Sequence, residues 1–257
     1  ARRNYAAPVR DLLGELAAVT ALIGSNLKTP GRLSFQVQGH GPVSMLVMDC
    51  NEQLHLRGMA KSELAADAEA HVAGVADLLG DGRLVLTLQP QSAQTPYQSV
   101  VPLVGSTLAT IFEHYLAQSE QQPARLWLAA TADTACGLFL QKLPGADLRD
   151  ADGWNRIETL AATVRPEELA LPPEILLTRL FAEESVRLYP PRPAAWHCPR
   201  DEEKVRNMLL SLGREEVEAM LADAEAIAIE DEICGHEYRF GPEIVDELFP
   251  PAGRILH

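Results

Sequence analysis

The chain has 257 residues, 47% of them hydrophobic and 23% charged, which is enough to bury a sizeable core without disulfide support. Its net charge of −14 argues against a nucleic-acid phosphate backbone as the partner, and no apolar run approaches the ~18 residues of a membrane span. Four cysteines with no CxxC and no CxC, and no secretory leader in Ala1 to Tyr5, point to a reducing cytoplasm as the compartment.

Val9, Leu12, Leu13, Leu16, Val19, Ile23 and Leu27 recur every three or four residues and predict an opening amphipathic helix. Strand signals follow. Leu33, Phe35 and Val37 alternate with polar residues up to the turn Gly39-His40-Gly41-Pro42. Met45 to Met48 is a continuous apolar run, expected as a strand covered on both sides. Leu54 and Leu56 alternate again before Arg57-Gly58, and Leu84 to Leu88 follows the turn Gly80-Asp81-Gly82. Gln98 to Leu103 predicts another strand, and Ser106 is placed to cap a helix through Ile111, Phe112, Tyr115 and Leu116. Leu126 to Leu128 and Gly137 to Leu140 read as two more strands. Mixed strands and helices without a βαβ rhythm predict an α+β core over residues 1–150.

The texture then turns helical. Ile157, Leu160, Ala161 and Val164 share a face, and Pro166 or Pro173 can open later helices. Tyr189-Pro190-Pro191-Arg192-Pro193 is a stiff connection that marks a boundary, so residues 151–195 are expected as a helical linker region. Residues 196–257 are expected as a small C-terminal domain with two short helices, a hairpin of Ile227 to Ile229 with Tyr238 to Phe240, and a last helix after Gly241-Pro242. This tail carries 15 Asp and Glu against 6 Lys and Arg, or −9 of the net charge. A domain this small and poor in large apolar side chains is marginal alone, so its cysteines matter. No phosphate-cradling GxxxxGK[ST], no GxGxxG, no GxSxG and no HExxH is present. Cys50 and Cys136 read as plain buried cysteines.

Several segments carry a resemblance. Phe35 to Pro42 ends in a Q-G-x-G-P turn, and Leu56-Arg57-Gly58 forms an R-G strand. Tyr115 to Pro123 contains S-E-Q-x-P, and Gly137 to Pro144 contains L-Q-x-x-P. Leu176 to Glu184, and Cys234 with Tyr238 and Phe240, add to the likeness. In this combination the chain resembles, over essentially its whole length, the redox-regulated 33-kDa chaperonin (heat-shock protein 33) family. The family's first strand and helix, ahead of Ala7-Pro8-Val9, have no counterpart here. The resemblance implies an ATP-independent holdase that binds unfolding proteins under oxidative or heat stress, often as a dimer. It implies a C-terminal domain whose four thiolates, arranged CxC and CxxC, hold one zinc. Oxidation of such a site forms two local disulfides, expels zinc and unfolds the domain and linker.

This sequence departs from that pattern. Trp196-His197-Cys198 stands where CxC is expected, and Asp231-Glu232-Ile233-Cys234 stands where CxxC is expected. Neither local disulfide can form. Three readings stay open. Zinc could be held by Cys198 and Cys234 with Asp231 and His197 or His236 completing a tetrahedron. Alternatively the metal is lost and apolar packing replaces it, with Trp196, Ile227, Ile229, Tyr238 and Phe240 supplying the bulk. Or Cys198 and Cys234 form one cross-motif disulfide, closing a loop of about 36 residues for roughly 3–4 kcal/mol. Such a bond would lock the domain instead of unfolding it.

The functional expectation is therefore a holdase without catalytic chemistry and with altered redox regulation. Its client-binding candidates are Leu169, Leu171, Ile175, Leu176, Leu180 and Phe181 of the linker region. Unfolded proteins are the expected partners, with a homodimer implied and neither nucleic acid nor membrane expected. The alternatives are a constitutive protein-binding adaptor and a thiol oxidoreductase, the latter lacking any CxxC.

Overall fold

The computed structural model of the chain describes residues 3–67, 74–93, 95–119, 122–222 and 224–250. It divides into two compact units, Ala1–His197 and Cys198–His257.

The first unit opens with α1 (Ala7–Ser25), whose Pro8 occupies a first-turn position where a missing N–H costs nothing. Val9, Leu12, Leu13, Leu16 and Val19 form its buried stripe, each contributing about 1.5–3 kcal/mol by leaving water. The stripe packs on β2 (Val43–Cys50), β3 (His55–Ser62), β6 (Ala124–Ala130) and β7 (Ala135–Gln141). With β1 (Gly31–Gly39), α2 (Val75–Leu79), β4 (Gly82–Pro90), β5 (Tyr97–Pro102) and α3 (Leu108–Ser119), these elements build the α+β core. The large sheet has the order β5-β4-β1-β2-β3-β8, antiparallel except at β8 (Ala195–Trp196), which runs parallel to β3. Strands β6 and β7 pair as a separate hairpin. Leu33, Phe35 and Val37 point into the core as alternation predicts, and the Phe35 and Phe112 rings meet edge to face at 4.7 Å.

Strand β3 carries Arg57-Gly58 and runs on to Ser62. Gly58 is required there because a Cβ would collide with the Val47 carbonyl and the Met48 side chain, while Arg57 donates to the buried carboxylate of Asp49 at 3.2 Å. Two local expectations need correction. The run from Met45 to Met48 is not covered on both faces: Leu46 and Met48 are buried, whereas Met45 and Val47 are only half-buried. The cap of α3 is Thr107 and not Ser106, since the Thr110 N–H donates to the Thr107 hydroxyl at 3.1 Å.

Residues 151–195 belong to the first unit. They form α4 (Gly153–Ala161), a 3-10 turn (Pro166–Ala170) and α5 (Pro173–Leu180), and both Pro166 and Pro173 stand at helix starts as expected. The 3-10 turn packs on β6 and β7.

The second unit comprises α6 (Glu202–Leu212), α7 (Arg214–Ala222), the hairpin β9 (Ile227–Asp231) and β10 (His236–Phe240), and α8 (Glu243–Leu248). Asp201 caps α6 by accepting the Lys204 N–H at 3.0 Å. Leu209, Val217, Ile227, Tyr238, Phe240, Ile244 and Val245 form its core, with Ile229 partly buried against them. Trp196, expected to add bulk to this small domain, lies instead on the edge strand of the first unit and is 49% exposed. Two backbone bonds, from Ala195 to the Leu54 carbonyl and from His197 to the Leu56 carbonyl, commit it to that sheet edge.

Candidate redox and client-binding sites

Cys234 sits in the turn between β9 and β10. Asp231 shapes that turn: its carboxylate accepts the N–H groups of Ile233 at 2.9 Å and Cys234 at 3.2 Å, while Gly235 donates to the Asp231 carbonyl at 2.6 Å. Gly235 has φ of +67°, a conformation for which glycine carries no steric penalty. Cys198 opens the second unit, and its segment is strapped to β10. His236 Nε2 donates to the Cys198 carbonyl at 2.8 Å, Asp201 N donates to the Tyr238 hydroxyl at 2.8 Å, and Arg200 donates to the Glu237 carbonyl at 2.6 Å. These links bring the two cysteines together, and they form a disulfide with a Cα–Cα distance of 5.9 Å. Both cysteines are buried.

In this disulfide state the donor set does not fit zinc. Zinc takes thiolates and neutral imidazole lone pairs, but here both sulfurs are bonded to each other. A carbonyl only accepts, so His236 carries its proton on Nε2 and offers no lone pair there. The Asp231 carboxylate is occupied by the turn. His197 lies in the first unit, stacked on His55 with ring centroids 4.4 Å apart. Among the described residues, no group of three or more His, Cys, Asp or Glu is placed to hold a metal. Of the proposed ligands, Cys198, Cys234, Asp231 and His236 belong to the second unit, where hydrogen bonds and the disulfide bring them together, whereas His197 belongs to the first.

Cys50 is buried under α1, where burial pushes its thiol up to about 11. It is therefore a poor nucleophile at neutral pH. Cys136, expected to be buried, is only half-buried on β7.

The client-binding candidates divide by exposure. Leu169, Leu176 and Phe181 are buried, Leu171 and Leu180 are half-buried, and Ile175 is exposed. Polar links that sequence reading missed tie this segment to the core and brace it internally. Arg125 of β6 pairs with Glu158 of α4 at 2.6 Å. Arg156 binds Glu184 at 2.5 Å and Asp150 at 2.8 Å, and its guanidinium holds both carboxyls below their usual range. Arg192 donates to the carbonyls of Ser25 at 3.2 Å and Glu52 at 2.7 Å. Glu15 of α1 borders a cavity of about 240 Å³ lined by Leu126, Leu128, Val164 and Leu169. Burial, assisted by the nearby charge of Asp11, raises its carboxyl to about 7. A charged residue inside the apolar pattern of α1 was the only sequence signal for it.

Known proteins place these features. The Hsp33 protein family profile matches residues 1–241. The 33 kDa chaperonin of Methylobacillus flagellatus is 41% identical over 244 residues, covering 94% of this chain and 82% of the relative. That of Vibrio cholerae is 37% identical over 265 residues, covering 99% and 89%. The crystal structure of the 33 kDa chaperonin (heat shock protein 33 homolog) of Thermotoga maritima shares the fold, with a TM-score of 0.77 at 24% identity over 93% of this chain and 84% of that one. The match spans both units and both cysteines that form the disulfide. The chain belongs to the Hsp33 family of redox-regulated holdase chaperones, which are not enzymes.

Proposed function

We propose that this chain captures unfolding proteins on the apolar side of residues 151–195 when that segment lifts from the core, and that heat rather than peroxide is the trigger. In this reading 151–195 acts as a linker and Leu169, Leu171, Ile175, Leu176, Leu180 and Phe181 meet the client. The observation that carries it is the mismatch between what this segment buries and what holds it. Leu169, Leu176 and Phe181 are buried, yet the ion pair that ties the segment to the core, Arg125 with Glu158, lies at partly exposed side chains and contributes little. Such a surface is hidden at rest and released by partial unfolding. Peroxide lacks its usual handle because neither local cysteine pair exists.

The acidic second unit suits a protein that must keep loaded complexes in solution. No helix among the described residues is long and apolar enough to cross a membrane. The working compartment in this reading is the cytoplasm, and the working form is a homodimer.

Light scattering of a heat-unfolding client tests the proposal, with the chaperone added untreated, preheated or peroxide-treated. Preheating should suppress aggregation without peroxide. Suppression that requires peroxide at a temperature where the untreated protein stays folded would overturn the heat trigger. Saturable binding to one folded protein, with indifference to unfolded clients, would favour an adaptor instead.

A further inference from the structure

We infer that the Cys198–Cys234 bond is a reversible lock on the second unit, in which oxidation fastens the fold and reduction loosens it, without a metal in either state. Its effect on clients rests on the holdase reading, whereas its effect on the fold does not.

Three observations lead here. The first is topological. The bond joins the first residue of the unit to the turn of its hairpin, 36 positions later, and so encloses α6, α7 and β9 with core residues Leu209, Val217 and Ile227. A cross-link of that span removes much of the freedom of the unfolded loop, and a core this small depends on such a restraint. The second is that the two segments are already aligned by bonds that involve no sulfur. His236 to the Cys198 carbonyl, Asp201 to the Tyr238 hydroxyl and Arg200 to the Glu237 carbonyl use no sulfur atom and so do not require the disulfide. Reduction therefore leaves a folded but less restrained unit, with both thiols held near each other for reoxidation. The third concerns Asp231. Its carboxylate caps the turn that presents Cys234 and so fixes where that sulfur stands.

The chemistry closes with hydrogen peroxide as the oxidant. One cysteine thiolate attacks peroxide, breaking the O–O bond to give a sulfenic acid, with hydroxide leaving and taking up a proton to become water. The second thiolate attacks that sulfur, the S–S bond forms as the S–O bond breaks, and hydroxide leaves and takes up a proton to become the second water. Two thiols and one peroxide thus yield one disulfide and two waters. A dithiol reductant reverses this by exchange, ending oxidised itself.

The test uses the full chain, reduced with dithiothreitol or oxidised with peroxide, beside Cys198→Ser and Cys234→Ser. Peptide mapping without reductant identifies the bond, and hydrogen exchange follows the amides of β9 and β10. The oxidised chain should exchange about tenfold or more slowly there than the reduced chain, and both variants should behave as the reduced chain whatever the oxidant. Adding zinc chloride or a chelator to the reduced chain should change nothing. Faster exchange after peroxide, equal exchange in both states, absence of the bond after peroxide, or zinc protection matching that of oxidation would each overturn the lock. The reduced wild type carries the comparison without substitution, so a variant that fails to fold does not blunt it. Scattering on the same samples should show client capture starting at a higher temperature after oxidation. An unchanged capture temperature despite slower exchange would overturn the link to clients. If no state captures client, the holdase reading fails while the exchange data still decide the lock.

Discussion

The two units of this chaperone are stabilised in different ways. The first encloses a continuous apolar core, from Val9 and Leu16 on α1 through Phe35, Leu46 and Met48 in the sheet to Phe112 on α3, all nearly solvent-free. The second has a short set of buried side chains, a strap of hydrogen bonds and one covalent link. Burial grows faster than surface as a domain enlarges, so the large unit needs no staple and its two free cysteines stay unpaired. The small unit lies at the size where a cross-link or metal decides whether the fold holds. With two of the four cysteines of the family pattern replaced, its remaining two form a cross-link. The lesson is that two thiols held near each other by backbone bonds can staple a small core where the full four-thiolate pattern is absent.

That contrast can be broken most forcefully in the first core. Phe35→Ala should cost about 3–5 kcal/mol by emptying a site that packs edge to face on Phe112, and denaturant unfolding should show the loss. Exchange in β9 and β10 should stay unchanged, and a parallel loss there would mean that the units do not behave independently.

Next comes the pH dependence of Glu15. Its carboxyl is raised from 4.5 to about 7 in the folded protein, so the stability it confers is fully present below about 4.5 and is lost as pH rises through 7. After allowance for solvent screening at this partly exposed site, the loss should be about 1–2 kcal/mol. Glu15→Gln should flatten the stability profile of the first unit across that window. A profile with the same slope in the variant would reassign the effect to another group.

A smaller change sharpens the second unit. Tyr238→Phe removes the acceptor for the Asp201 N–H and should cost about 1 kcal/mol, read as faster exchange in α6 and β10. The difference should be larger in the reduced chain, where no disulfide shares the restraint. The smallest effect is expected for Arg156→Ala, which severs α4 from Glu184 and Asp150 on a largely solvated surface. Global unfolding should hardly move, while the onset of client capture falls to a slightly lower temperature. An unchanged onset would remove Arg156 from the hold on the segment.

Much of the molecule was legible in local pattern. The stripe of α1, the alternation of β1, the turn at Gly80 to Gly82, the starts at Pro166 and Pro173 and the hairpin of β9 and β10 all depend on residues a few positions apart. Their side-chain periodicity and backbone preferences act over that same short range. The S-E-Q-x-P segment includes Glu120 and Gln121, which lie outside the described residues. The errors were also local in origin but settled elsewhere. Ser106 read as the cap of α3, but the Thr107 hydroxyl takes that role by accepting the Thr110 N–H. Trp196 read as part of the small domain because it precedes Cys198, but a parallel pairing with His55 and Leu56 placed it on the other unit.

By itself the sequence determined the α+β class, the family and the incompleteness of the zinc motif, because these reside in residue identities and short spacings. Tertiary structure brought Cys198 and Cys234 into one disulfide. It also placed Asp231 in a turn, bound His236 to a carbonyl and set Glu15 beside a cavity under the 3-10 turn. Each of those outcomes depends on groups brought together across tens of residues, whose positions follow from how the core closes and not from any local spacing.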